Sequence, residues 1–295
     1  MCVATTGFFD GMHLGHQKVI LTAKRIAEEK GLKSQVVTFW PHPRSVLQQE
    51  AYDLRLLTSL EEKKALIKGL GIDEVTVLEF TREFSLLTTE EFIKEYLIGK
   101  CGVKVLVIGY DHHIGHDQSK SQKNMMDICR RCGLEVVRVD EFTLDGQVPS
   151  STKIRHMLEK GDVAGASAFL GRDYVLKGVV VSGNHLGRTI GFPTANLKLY
   201  DPLKLIPGNG VYAVKVALGK RRFKGICNIG VRPTVSNGNY ISIETHILDF
   251  NEDIYGLDLR LEFAGRLRDE KKFSSLDVLK LQLEKDKESC IKYFL

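Results

Sequence analysis

The chain has 295 residues, which at roughly 100–200 residues per domain favours two domains over one. Hydrophobic residues make up 43% and charged residues 27%, and 27 glycines and 7 prolines are scattered along the chain, so disordered, collagen-like and low-complexity classes are excluded. The net charge of +5, from 42 basic against 37 acidic residues, is too mild and too dispersed to argue for nucleic acid, and it suits anionic small ligands. No apolar run approaches the roughly 18 residues of a membrane span. Met1-Cys2-Val3-Ala4 offers no basic leader with an apolar core, so a cytoplasmic protein with no membrane partner is expected.

In chain order, Cys2–Thr5 reads as a short strand, followed by a glycine-rich turn. A helix then carries Val19, Ile20, Ala23, Ile26 and Ala27 and stops at Gly31, where a left-handed residue is wanted. Gln35–Trp40 reads as a buried strand closed by Pro41 and Pro43. Ser59-Leu-Glu-Glu62 and Thr88-Thr-Glu-Glu91 have the capping-box spacing that starts a helix. Val75–Leu78 and Val105–Ile108 are continuous apolar runs of the kind buried on both faces of a parallel sheet. This alternation predicts a doubly wound α/β domain over 1–170. Near Gly171 the pattern changes. Over 171–295, Tyr174–Val181, Val211–Leu218, Phe223–Ile229, Ile241–Leu248 and Leu257–Phe263 read as strands, and Leu276, Leu279 and Leu283 recur at helical spacing after Ser274-Ser275. A β-barrel closed by a terminal helix is predicted, with 154–169 as a helical connection.

Six cysteines are spread too thinly for a disulfide framework. Cys129 and Cys132 form one CxxC with no second pair, at the end of a predicted helix, where packing is the simpler reading than zinc. His112, His113, His116 and Asp117 similarly read as a solvated loop before a metal site.

The stretch Gly7-Phe-Phe-Asp10-Gly11-Met-His13-Leu-Gly15-His16 lies between the first strand and first helix, where open α/β sheets bind ligands. His13 and His16 are three apart at a helix start, so they project from one face beside free amides and the positive end of the helix dipole. That combination suits a triphosphate, and Gly11 and Gly15 keep side chains out of the way. Ser150-Ser151-Thr152-Lys153-Ile154-Arg155 puts hydroxyls at a helix start with an arginine one turn on, a phosphate clamp or a plain cap. In the second half, Gly187-Arg188-Thr189-Ile190-Gly191-Phe192-Pro193-Thr194-Ala195-Asn196 forms an open loop. Thr194 and Asn196 offer neutral oxygens to a hard cation such as Mg²⁺, although a turn before a strand reads the same way. In Ile241-Ser-Ile-Glu244-Thr-His246-Ile247 the apolar residues take alternate positions, which by itself leaves Glu244 on a solvated face.

Gly7–His16 resembles the signature of the HxGH nucleotidyltransferases, and Ser150–Arg155 resembles their SSTxIR motif. The string GFPTAN at 191–196, with Gly210-Val-Tyr212, Asn228-Ile-Gly230-Val-Arg232-Pro-Thr234 and Glu244-Thr-His246-Ile-Leu-Asp249-Phe, resembles riboflavin kinase, a six-stranded barrel. Both sets in this order are similar to the bacterial bifunctional riboflavin kinase/FMN adenylyltransferase family, the FAD synthetases, over essentially the whole chain.

The resemblance implies phosphorylation of riboflavin to FMN and then adenylylation of FMN to FAD, with ATP as co-substrate in both and Mg²⁺ as cofactor. Glu244 becomes the general base toward the ribityl hydroxyl. His13 and His16 become the adenylyl-transfer histidines. Gly7, Asp10, Gly11, Gly15, Asp111, Ser151, Thr152, Arg155, Gly187, Gly191 and Pro193 become nucleotide or phosphate contacts, and Thr194 and Asn196 metal ligands. In the loop Ile108–Gly115, Asp111 and Gly115 match the family while His112 and Ile114 replace two phenylalanines. Family members usually have a short segment before the first strand, whereas this chain begins almost inside it. Two other readings stay open: a single-activity nucleotidyltransferase with a flavin-sensing barrel, and a non-enzymatic flavin- or RNA-binding relative.

Overall fold

The computed structural model describes residues 1–47, 53–116, 122–183, 187, 190–233 and 239–295, the side chains of 232, 233, 239 and 240 excepted. The chain divides into two compact units, Met1–Ser151 and Thr152–Leu295.

The first unit is built on five parallel strands, β1 (Cys2–Thr6), β2 (Lys33–Trp40), β3 (Glu74–Glu79), β4 (Val103–Ile108) and β5 (Glu135–Arg138), in the order β3-β2-β1-β4-β5. The order reverses direction between β1 and β4, so the carboxyl ends of these two strands flank the crevice where a doubly wound sheet takes its ligand. β5 escapes the sequence pattern because it is a short edge strand with only two half-buried valines. Helices α1 (Leu14–Lys30), α2 (Pro43–Leu47), α3 (Leu60–Gly69), α4 (Arg82–Ser85), α5 (Thr89–Glu91, continued by a more widely wound turn through Lys100) and α6 (Gln122–Arg131) cover the sheet. Local signals hold where they were read. Gly31 ends α1 at φ 62°, and Ser59 and Thr88 each form a complete capping box. Ala23, Ile26 and Ala27 of α1 pack on Val3, Val105 and Val107 of the sheet. On the other face Met125 and Cys129 of α6 meet Leu106 and Ile108. Cys129 is thus core, and all six cysteines are free thiols.

The second unit opens with α7 (Ser151–Glu159, of which Thr152 onward belongs here) and α8 (Val163–Leu170). Tyr212 OH donates to the Gly208 carbonyl, and the Arg266 guanidinium donates to the carbonyls of Lys160 and Asn209. The Lys160 bond, with the Gly208 amide donating to the Leu158 carbonyl at 2.8 Å, ties the end of α7 to the barrel, so the division falls ahead of the change of pattern at Gly171. Six antiparallel strands follow: β6 (Tyr174–Val181), β7 (Ala195–Leu199), β8 (Gly210–Leu218), β9 (Arg221–Pro233), β10 (Asn239–Ile247) and β11 (Asp258–Arg268). They close as β10-β7-β6-β11-β8-β9. Five were legible. β7 does not stand out in the sequence, because it is five residues long and follows the proline-containing segment directly. Tyr212, Val214, Cys227, Ile229, Leu259, Leu261 and Phe263 are fully or nearly fully buried along alternating positions, as a filled small barrel requires.

Helix α9 (Leu276–Tyr293) starts at Ser275, whose hydroxyl accepts from the Val278 amide at 3.3 Å. Its docking differs from the leucine stripe expected. Leu276 is half-exposed, and the buried positions are Asp286 and Cys290. Asp286 takes a bidentate bond from Arg268 of β11 at 2.7–3.1 Å, while Cys290 packs with Val211, Ala213 and Ile226. Among the described residues, no helix is long and apolar enough to cross a membrane.

Candidate active sites

In the first unit, β1 delivers the chain into a turn that no unbroken helix or strand could make. Phe9 and Met12 take left-handed φ of 53° and 46°, and Gly11 sits at 78°. The turn is held from within the protein. The carboxylate of Asp10, 4% exposed, accepts from the Leu57 and Thr58 amides at 3.0–3.1 Å and from the Thr58 hydroxyl at 3.2 Å, while the Gly11 amide donates back to that hydroxyl. Asp10 therefore acts by shaping the turn, its oxygens already engaged by protein donors. The Gly7 amide donates to Val37 of β2.

His13 follows as the residue capping α1. Its Nδ1 accepts from the His16 amide at 3.3 Å, so the proton of a neutral His13 ring sits on Nε2. The two imidazoles stack at a centroid distance of 3.5 Å and an angle of 20°. A Cβ at Gly15 would crowd the His13 ring at 3.2 Å, so this glycine clears room for the ring itself. Burial, and then the neighbouring His13 and Lys63, hold His16 well below the ordinary imidazole range. His16 is therefore uncharged beside the amides of a helix start, and a neutral imidazole still carries one N–H donor. Ser151 joins the turn by donating to the Asp10 carbonyl at 3.0 Å, which links the two distant sequence motifs directly. Thr152, exposed, and Arg155, half-buried, follow on α7 in the second unit, whose inner face is Ile154 and Leu158.

Asp111 lies exposed just beyond the carboxyl end of β4. In the same loop Ile114 is buried in the cluster with Met125 and Cys129, so its replacement of an aromatic residue is a matter of core packing. His112 keeps a buried Nε2 without a hydrogen-bond partner among the described residues, and burial followed by the nearby His113 lowers its pKa to about 4. No group of three or more His, Cys, Asp or Glu among the described residues could hold a metal ion. Asp117, Arg188, Thr189 and Thr234 lie outside the described residues.

The second site is assembled by strand register. Asn196 of β7 pairs with Glu244 of β10, and Glu244 pairs in turn with Asn228 of β9. Directly opposed residues of antiparallel strands share a face, so two amides flank one carboxylate in a row across three strands. All three are half-buried, while Ile243, Thr245 and Ile247 point into the barrel. Glu244 therefore stands on the non-core face, as the alternation indicated, but in polar company and shielded from full solvation. Asn228 had no role in the sequence reading. Its only signal was its place in the Asn228–Thr234 string, and register alone brings it to Glu244.

The loop before β7 is fixed by contacts of its own. The Phe192 amide donates to the Gly187 carbonyl at 2.8 Å, and Gly191 turns the chain at φ 83°. His246 Nδ1 donates to the Pro193 carbonyl at 2.9 Å, and its ring lies 5.1 Å from Phe192. Burial pushes His246 below its ordinary range, with the Pro193 bond opposing. This histidine on β10 thus pins the segment carrying Thr194 and Asn196. A Cβ at Gly183 would overlap the Asn196 amide, so the end of β6 is cut away to admit that side chain. A cradle opened for a side-chain amide, next to a threonine hydroxyl and opposite a carboxylate, is a hard-oxygen donor set that fits Mg²⁺ sharing its remaining positions with phosphate and water.

Comparisons with known proteins agree half by half. The family model for FAD synthetase matches residues 1–153, and that for riboflavin kinase matches 170–294. A bifunctional riboflavin kinase/FMN adenylyltransferase from Bacillus subtilis is 42% identical, covering 99% of this chain and 92% of its own length. The Escherichia coli K12 protein of the same name is 35% identical at 99% and 93% coverage. A solved structure from Streptococcus pneumoniae, described as a macrolide-efflux protein, superposes with a TM-score of 0.89 at 34% identity, over 97% of this chain and 93% of that one. With each half matched to its own model and relatives aligned over nearly their full length, the chain belongs to the bifunctional riboflavin kinase/FMN adenylyltransferase family.

Proposed function

We propose that this chain makes FAD from riboflavin in two ATP-dependent steps, each run by its own part of the molecule: phosphorylation by residues 171–295 and adenylylation by residues 1–170. The observation that carries the reading is that each unit holds its own constellation for handling a nucleotide, the stacked His13–His16 pair in one and the Asn196–Glu244–Asn228 row in the other. That both are present favours two activities over a single transferase with a sensing barrel. Both steps belong where ATP is supplied, in the cytoplasm.

In the kinase step Glu244 takes the proton of the ribityl 5′-hydroxyl, whose oxygen attacks the γ-phosphorus of ATP as ADP leaves. The loop before β7 positions the phosphates, with the Gly187 and Gly191 amides supplying backbone contacts and Pro193 shaping the segment beside the nucleotide. Mg²⁺ held by Thr194 and Asn196 would supply neutralisation of the phosphate charge. His246 keeps that loop in place through the Pro193 carbonyl. Asn228 orients Glu244 from the neighbouring strand.

In the adenylyl step a phosphate oxygen of FMN attacks the α-phosphorus of ATP, and pyrophosphate leaves. The nucleophile is already an anion, so no enzyme base and no covalent intermediate are needed. The work of the protein is to hold the triphosphate and stabilise charge as it builds. His13 and His16 donate to it, Gly11 and Gly15 permit the turn, and Ser151, Thr152 and Arg155 contact phosphate. Asp111 contacts the nucleotide from the end of β4.

The test is chromatography of the protein incubated with riboflavin, ATP and Mg²⁺, resolving the flavins over time. FMN appearing first and FAD after it is the expected result. FMN alone would remove the adenylyl step, and no conversion by folded protein would overturn the reading.

A further inference from the structure

One buried charge in the first unit is not used by the chemistry just described. Lys63 of α3 is 1% exposed, yet it carries an ammonium. Its Nζ donates to the Phe8 carbonyl at 2.8 Å and lies 3.8 Å from the centroid of the Phe8 ring. Phe8 belongs to the turn that ends in the two histidines. We propose that Lys63 is a positioning residue for adenylyl transfer: its ammonium ties down the Phe8 carbonyl and places a fixed positive charge behind the turn, so that amides and imidazoles present themselves to the polyphosphate in one arrangement.

Three observations carry this. First, the charge is not needed to satisfy the polar groups around it. The Phe8 carbonyl also accepts from the Thr38 hydroxyl at 3.3 Å, and the Asp10 carboxylate is met by the amides of Leu57 and Thr58. A methionine, close to lysine in length, would fill the same space without the cost of burying an ion, and it would leave Asp10 to its amide partners. Second, the charge reaches the site, because Lys63 is among the groups that keep His16 from protonating. A buried cation behind an anion site acts through little screening water and costs no reorganisation when charge develops. Third, Lys63 is poised to lose that charge in an accessible range. Burial lowers its pKa to about 8, with the attraction of Asp10 from the turn opposing; His16 of α1, the other titratable group bearing on it, stays neutral.

The inference rests on the adenylyl-transfer reading, and the experiment separates the two. The native chain is first required to turn FMN and ATP into FAD; if it does not, the reading itself fails. Given that activity, Lys63→Met is expected to lower kcat for FAD formation by about 30-fold or more, as loss of a preorganised charge does. Its KM for FMN should stay near the native value and its FMN formation from riboflavin should be unchanged. Native kcat/KM for FAD formation should fall as pH rises through about 8, where Lys63 loses its proton. Lys63→Arg, which cannot lose its charge in that range, should retain FAD formation and lack this alkaline fall. FAD formation by Lys63→Met within threefold of native would overturn the proposal, as would an unchanged alkaline fall in Lys63→Arg. Should the methionine variant fail to fold, the pH profile of the arginine variant decides in the same way.

Discussion

On the function proposed above, the two units would meet phosphate by different means. In the α/β unit the tools are donors and positive potential: the start of α1, two stacked imidazoles and a buried lysine behind the turn. In the barrel the side chains are a hydroxyl, two amides and a carboxylate, whose oxygens suit a cation shared with phosphate beside the backbone amides of the loop before β7. The difference follows from the frameworks. Strands of a parallel sheet end together, so the site forms in the turn that leaves β1 and its key residues are neighbours in the chain. An antiparallel barrel brings distant strands side by side, so its site is a row across β7, β10 and β9. It follows that the first site should be sensitive to changes in turn shape and charge, and the second to anything that alters register or the loop pinned on it.

The sharpest way to break this comparison is to disable one site and watch the other. Glu244→Gln should cut FMN formation by about 1,000-fold, within the span usual for removing a general base, while FAD formation from supplied FMN continues at the native rate. Parallel loss of both activities would mean that the sites do not work independently. His16→Ala is the reciprocal change. It should lower FAD formation by roughly 100-fold, the scale of losing one preorganised donor, with FMN formation intact.

A third change acts on stability. Asp286 is 3% exposed and bound on both oxygens by Arg268 and Gln282. Removing one member of a buried pair strands the other, so Asp286→Asn should destabilise the barrel by about 3–5 kcal/mol. In a denaturant series, FMN formation should then fail at a lower concentration than FAD formation. Equal midpoints would show that α9 is not fastened by this pair.

The smallest expected effect is acid sensitivity of the first unit. His112 drops from its ordinary 6.5 to about 4 in the folded state because its ring is buried. Below pH 6.5 the unfolded chain takes up a proton that the folded one refuses. The stability that this neutral ring contributes is present in full above pH 6.5 and is lost as pH falls toward 4. Between pH 7 and 5 the loss is about 2 kcal/mol, and His112→Phe should remove it. Thermal unfolding of the native chain and the variant at both pH values measures the difference; identical acid sensitivity would show that His112 does not set it.

Much of this molecule was legible before folding. The Gly7–His16 turn, the capping boxes at Ser59 and Thr88, the left-handed stop at Gly31 and the long strands of both halves are decided by interactions within a few residues, so sequence spacing reports them directly. The loop Gly191–Asn196 was equally recognisable as a string. The short strands β5 and β7 were not, because four or five residues carry too little alternation to stand out and are held by neighbours distant in sequence. Leucine spacing announced helix α9 but not its anchor, since the Arg268–Asp286 bond depends on where β11 lies.

The same division runs through the sites. The residue types for phosphate chemistry, and the closeness of His13 to His16, are properties of the sequence itself. What only tertiary structure decided is how those residues are held and charged. It stacked the two imidazoles, turned Asp10 inward to clasp 57–58, buried Lys63 beneath Phe8, and set Asn228 beside Glu244. Apart from the imidazole stack, each of these depends on a contact between segments separated in the chain. Burial and register exist only once those segments have come together, and they determine whether a histidine carries a proton or a carboxylate faces water.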